Sequence, residues 1–175
     1  RYLRGEMGEI DQVPVRYTAL LYGGDRFESR GQLLELIAAH DLVILDRYVA
    51  SNIAYNAAKV PENERVGLIS WIEQLEFDLF ALPRPDLTLL LATSTVLADR
   101  LIGQKAARSY TEETRDLHEA DRDFLSIVAD VYGGLAAAGG DRWLRVEPLA
   151  ADGTLRPPAD IAATVWQHPG LAALG

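Results

Sequence analysis

Two segments, Leu42-Val43-Ile44-Leu45 and Leu87-Thr88-Leu89-Leu90-Leu91-Ala92, are apolar without alternation. A strand with one wet face alternates apolar and polar side chains, so strands lacking that alternation belong in a parallel sheet covered by helices on both faces. The intervening sequence supplies those helices. Pro14 suits a helix opening, and apolar residues recur at helical spacing from Val15 to Ala39, with His40-Asp41 as the break. Ser51–Ala58 predicts a second helix, ended before Pro61. Val66–Leu82 predicts a third, with Ile69, Ile72, Leu75, Leu79 and Leu82 on one side and Pro83-Arg84-Pro85 as its stop. Beyond the second apolar run, helices are predicted over Thr95–Ile102, from Glu119 to Gly139-Gly140, and near Ile161–Gln167. Phe124, Leu125, Val128, Tyr132 and Leu135 form the stripe of the long one. Trp143–Val146 reads as a third strand. Alternating strands and helices imply an α/β fold with right-handed crossovers. Three strands are few for such a sheet, so at least one more is predicted outside these residues.

With 175 residues and 49% hydrophobic content, the chain suits one domain with a buried core. Its net charge of -9 repels a polyanion and argues against nucleic-acid binding. The absence of cysteine removes disulfides and thiolate metal sites. No apolar run approaches the ~20 residues of a membrane span, and Arg1-Tyr2-Leu3-Arg4-Gly5 lacks a signal-peptide core. A soluble cytoplasmic protein with no membrane partner is the expectation. Lys59 and Lys105 are the sole lysines, so an anion site here depends mainly on guanidinium groups.

The first apolar run leads directly into Asp46-Arg47-Tyr48. Ligands of open α/β sheets collect beyond the carboxyl ends of strands, and the planar fork of Arg matches a phosphate. Asn52 and Tyr55, three residues apart on the next helix, share a face. On the first helix Tyr22 and Arg26 stand at i and i+4, with Asp25 beside them, so a ring and a fork face the same way. Plainer readings coexist with these: a core-edge Tyr beside a surface Asp25–Arg26 pair, a strand-end Asp46–Arg47 ion pair, and helix capping by Ser51 or Asn52. Gly23-Gly24 costs the helix about 1 kcal/mol per residue, which close approach of a ligand or another helix would explain. Between Gly103 and Thr114 the sequence turns polar and small, as a flap does. Lys105, Arg108 and Arg115 line this region, with Asp116 and Glu119 at i and i+3; cations on a closing loop suit phosphoryl transfer, and a solvated loop accounts for them equally. His118 reads as structural.

In order, these segments resemble the thymidylate kinases, most closely the actinobacterial branch. The likeness rests on Tyr2-Leu3-Arg4-Gly5-Glu6, Leu21-Tyr22-Gly23-Gly24-Asp25-Arg26, the run from Val43 through Asp46-Arg47-Tyr48 to Tyr55, Leu82-Pro83-Arg84-Pro85-Asp86, and Arg115-Asp116-Leu117-His118-Glu119. It implies a three-layer P-loop NTPase-type parallel sheet flanked by helices, formed by residues 1–175 as a single kinase domain with a lid at 103–118. It further implies transfer of a phosphoryl group from ATP to dTMP with Mg²⁺, in a homodimer. By resemblance, Tyr22 stacks on thymine, Arg26 and Asn52 read the base edge, and Asp25 belongs to the same substrate pocket. Arg47 holds the dTMP phosphate, and Tyr55 packs beneath the deoxyribose and disfavours a 2'-hydroxyl. Asp116 and Glu119 lie near the sugar and metal, Asp46 and Glu119 are the metal candidates, and Lys105 and Arg108 are lid cations for ATP.

One departure is large. No G-x-x-x-x-G-K-[ST] sequence is present, so the ATP-cradling loop has no counterpart among these residues. The resemblance places the missing βαβ segment, ~30 residues or more, ahead of Arg1, its strand lying between the one ending at Asp46 and Leu87–Ala92. Left empty, that lane would strand interior backbone groups at roughly 1 to 3 kcal/mol each. The sequence therefore also admits a nucleotide-binding pseudoenzyme that keeps only the dTMP pocket, and a sibling kinase with another monophosphate preference.

Overall fold

In the computed structural model, which describes residues 13–93, 97 and 122–172, Pro14 opens the first helix at φ −54, the angle its ring imposes. That helix, α1 (Val15–Glu28), stops short of the predicted Ala39. The Ser29 hydroxyl donates to the Asp25 carbonyl at 3.1 Å, and such back-bonding bends a helix. The chain resumes as α2 (Arg30–Ala39), which buries no residue and leaves Leu34, Leu36 and Ile37 exposed.

Leu42–Leu45 forms no strand; among the described residues it joins no ladder, and Ile44 is 81% exposed. The apolar run encodes a preference for burial, whereas a strand exists only when a neighbour completes its hydrogen bonds. This corrects the expectation of a strand at that point.

Two compact units make up the chain: Arg1–Arg84 with Arg115–Val131, and Pro85–Thr114 with Tyr132–Gly175. In the first, α1 packs on α3 (Val49–Ala57), and α3 packs on α4 (Glu62–Glu73). Ala19, Ala54 and Ala57 are fully buried, and side chains this small let helix backbones approach closely. Ile72 is likewise fully buried, worth about 1.5–3 kcal/mol relative to exposure. Past Glu73 the coil widens into a π-helical turn, Gln74–Leu79, marked by Phe80 N–H donating to the Leu75 carbonyl at 2.9 Å. Such widened turns are often found at functional sites.

In the second unit β1 (Thr88–Leu91) and β2 (Trp143–Val146) pair in parallel, Thr88 opposite Trp143 and Leu91 opposite Val146. Their bounds match the predicted strands closely. Burial along β1 alternates, with Leu89 43% and Leu91 50% exposed, so the second face predicted to be covered is bare within this unit. The long helix α5 (Arg122–Gly139) has as its buried residues Val128 and Val131, both counted in the first unit, and Gly140, at φ +56, ends it. The tail helix α6 spans Pro158–Trp166. Arg156 braces it, donating to the Glu147 carbonyl at 2.9 Å and the Thr164 hydroxyl at 2.6 Å. No helix among the described residues is long and apolar enough to cross a membrane. The predicted Thr95–Ile102 helix lies outside the described residues except for Leu97, as does the whole 103–118 lid.

Candidate active site

The backbone at Arg47 sits at φ +64, a left-handed conformation that costs an ordinary residue roughly 1–2 kcal/mol. Strain of this kind persists where the surroundings enforce it and concentrates at functional positions. Here it throws the guanidinium back over the following helix. Arg47 Cζ lies 5.2 Å from the centre of the Tyr55 ring, and Nη2 donates to the Tyr55 hydroxyl at 3.4 Å. Tyr55 meets the Phe124 ring edge-on at 6.2 Å. Two residues singled out by sequence are therefore brought together, on an exposed edge. Asp46 is exposed and makes no ion pair with Arg47, so the strand-end salt bridge is not formed. Neither Ser51 nor Asn52 caps α3.

Asn52 turns inward instead. It is 4% exposed, and its Nδ2 donates to the Ala19 carbonyl at 3.0 Å and to Glu76 Oε1 at 2.7 Å. Glu76, fully buried on the π turn, also receives Arg26, whose Nε donates to Oε2 at 2.5 Å and Nη2 to Oε1 at 2.6 Å. Such a bidentate, charge-assisted pair is among the stronger hydrogen-bond geometries. Behind Asn52, Asn56 Nδ2 donates to the Asn52 side-chain oxygen at 2.8 Å. Arg26 and Asn52 thus meet through a carboxylate that sequence reasoning passed over. A signal was available: Glu76 follows Ile72 at i+4 and adjoins Leu75, so it interrupts an apolar face with a charge.

Gly23 has its explanation in the same place. A Cβ there would lie 3.5 Å from Glu76 Cγ and 3.2 Å from Phe80 Cε2, so the glycine admits the π turn against α1. Gly24 has no neighbour within 4 Å and needs no such account. Tyr22, one turn before Arg26, is half-buried; Asp25 is exposed and leaves Arg26 to Glu76, which disposes of the surface Asp–Arg pair. Tyr48 donates to the Pro83 carbonyl at 3.1 Å. Burial and, after it, the charge of Glu76 push this phenol up to about 12, against the opposing pull of Arg26.

Lys105, Arg108, Arg115, Asp116, His118 and Glu119 lie outside the described residues. Among the described residues no group of three potential ligands could hold a metal ion. A separate cleft of about 310 Å³, touching Val15, Asn63 and Leu68, contains none of the candidate site residues.

Residues 3–140 match the family model described as thymidylate kinase. The chain belongs to the thymidylate kinase family. Members of the family are nucleoside monophosphate kinases with a P-loop NTPase fold, an α/β architecture that the parallel β1–β2 pair and its helices fit. Among curated relatives, the thymidylate kinase of Mycobacterium tuberculosis is 38% identical over 161 residues, covering 89% of this chain and 74% of that protein. The probable thymidylate kinase of Pyrobaculum aerophilum is 30% identical over 145 residues, covering 80% and 67%. That of Metallosphaera sedula is 32% identical over 88 residues, covering 50% and 40%.

Proposed function

We propose that this thymidylate kinase family member phosphorylates dTMP to dTDP, with ATP as donor. The observation that supports the reading is Arg47: its left-handed backbone and its seat over Tyr55 hold a guanidinium on an exposed edge of the first unit, and a guanidinium so held can grip a monophosphate's charge. Phosphoryl transfer leaves little covalent work to the protein, so positioning and charge stabilisation are its contributions. Arg47 fixes the acceptor phosphate, Tyr55 underlies the sugar and disfavours a 2'-hydroxyl, Tyr22 stacks on the base, and Arg26 and Asn52 read its edge, with Asp25 at the pocket's rim. Lys105 and Arg108 are the candidate cations for the ATP phosphates, and Asp116 and Glu119 the acids near the sugar.

Mg²⁺ usually binds through one or two carboxylates plus substrate phosphates. The exposed carboxylate of Asp46, which makes no ion pair among the described residues, fits such a role, with Glu119 as the second candidate, and the ion when bound would neutralise charge on the phosphates. A homodimer working in the cytoplasm is the accompanying proposal, checked by sedimentation.

The test is a coupled assay with ATP as donor. Clear preference for dTMP over dUMP and UMP supports the assignment, whereas equal rates on all three would sink it. Binding of dTMP without turnover would instead favour the pseudoenzyme.

A further inference from the structure

The network around Glu76 is more selective than a buried ion pair needs to be. An ionised carboxylate only accepts hydrogen bonds, so it must be the Asn52 amide nitrogen, not the oxygen, that faces Glu76. Both N–H groups of that nitrogen are then committed, one to Glu76 Oε1 and one to the Ala19 carbonyl. The Asn52 oxygen accepts from Asn56 Nδ2 and keeps one lone pair. Arg26 spends Nε and one N–H of Nη2 on the carboxylate; Nη1 has no partner among the described residues, and the side chain is 19% exposed. What the cluster leaves uncommitted is a donor on Arg26 Nη1 and an acceptor lone pair on the Asn52 oxygen.

We propose that Glu76 is a positioning residue that sets this donor–acceptor order and so selects a 4-oxo pyrimidine over a 4-amino one. This rests on the proposed pocket, in which Arg26 and Asn52 meet the base edge. Thymine presents the O4 acceptor next to the N3–H donor, the complement of the order left by Glu76. Cytosine presents an amino donor at that place next to an unprotonated N3, so its donor meets Arg26 and its acceptor meets the Asn52 oxygen. Without the carboxylate, the Asn52 amide is free to turn over and exchange oxygen for nitrogen, and the order is no longer enforced. Gly23 lies against the same carboxylate: a Cβ there would press on Phe80 at 3.2 Å and reach ordinary contact with Glu76 at 3.5 Å.

Affinities of dTMP and dCMP for the wild-type protein and for Glu76→Gln, measured by calorimetry, test the proposal. Gln brings its own amide donor to the spot where Arg26 and Asn52 both need an acceptor. The dTMP-over-dCMP preference is expected to fall about tenfold or more, with KM for dTMP rising by a similar factor and kcat changing less than about threefold. A folded Glu76→Gln protein with an unchanged dTMP:dCMP ratio, or one in which both nucleotides and kcat fall together, overturns the proposal. A wild-type protein that binds no dTMP overturns the pocket assignment itself, and is recognised before any substitution is made. Should the variant not fold, the wild-type protein answers alone. The Arg26 Nε–H proton is expected to exchange slowly by NMR both with and without saturating dTMP, and acceleration on adding dTMP would mean that Arg26 leaves Glu76 to bind the base, contrary to the proposal.

Discussion

Gly23 on α1 faces Glu76 on the π turn so closely that a Cβ at position 23 would lie 3.5 Å from Glu76 Cγ, with Phe80 Cε2 nearer still at 3.2 Å. The adjacent Gly24 meets nothing within 4 Å. Two neighbouring glycines in one helix thus predict opposite outcomes. Gly24→Ala should stabilise the protein by about 0.5–1 kcal/mol through helix propensity and a less flexible unfolded chain. Gly23→Val should destabilise it by about 1–3 kcal/mol as its branches press on the π turn. Urea denaturation of both variants checks the pair, and equal effects would mean that α1 and the π turn are not in close contact.

At Arg47 the proposed phosphate role and the backbone strain are separable by substitution. Replacing it with Ala should weaken dTMP binding by roughly tenfold to a hundredfold, the scale of a lost charged hydrogen bond, while leaving thymidine affinity nearly unchanged. Arg47→Gly should lose the same affinity yet be more stable than Arg47→Ala by about 1 kcal/mol, because glycine adopts φ +64 without strain. Equal loss for dTMP and thymidine in calorimetry would contradict the phosphate role.

Burial pushes the Lys59 ammonium down from its usual 10.5 to about 8. Between those two values the unfolded chain holds more protons than the folded one, so stability rises with pH. The favourable contribution is complete above 10.5 and is lost as pH falls through about 8. Lys59→Met should therefore be more stable than wild type at pH 7, with a gap that narrows toward pH 10. A constant gap across that range, in denaturant melts, would show that Lys59 titrates normally.

Tyr48 runs the other way. Its folded-state value is raised from 10.0 to about 12, so its contribution is fully present below 10.0 and disappears as pH rises through about 12. Tyr48→Phe should cost about 1 kcal/mol near neutrality for the hydrogen bond to the Pro83 carbonyl. It should also remove part of the alkaline loss of stability, and ultraviolet titration should show one fewer phenol ionising near 12.

The parts of this protein that could be read in the sequence are those whose physics is local. Pro14 opens a helix because its ring holds φ at a helical value. Trp143–Val146 was predicted as a strand and is one. Arg47 and Tyr55, eight residues apart, touch, although the strand expected ahead of them does not form. Helix ends were harder: a hydroxyl bonding back to Asp25 divided the first predicted helix at Ser29, and the π turn replaced α-helix past Glu73.

From the sequence alone come the α/β class and the two segments that form β1 and β2, because periodicity, proline geometry and short-range spacing act within a few residues. Tertiary structure decided that Leu42–Leu45 joins no ladder, since a strand is a property of two segments rather than one. It also decided that Glu76 joins Arg26, fifty residues away, to Asn52, 24 residues away. A helical repeat tells which face of each segment turns inward, but the partner that meets a buried charge is chosen by packing, where leaving that charge unpaired costs more than any local preference.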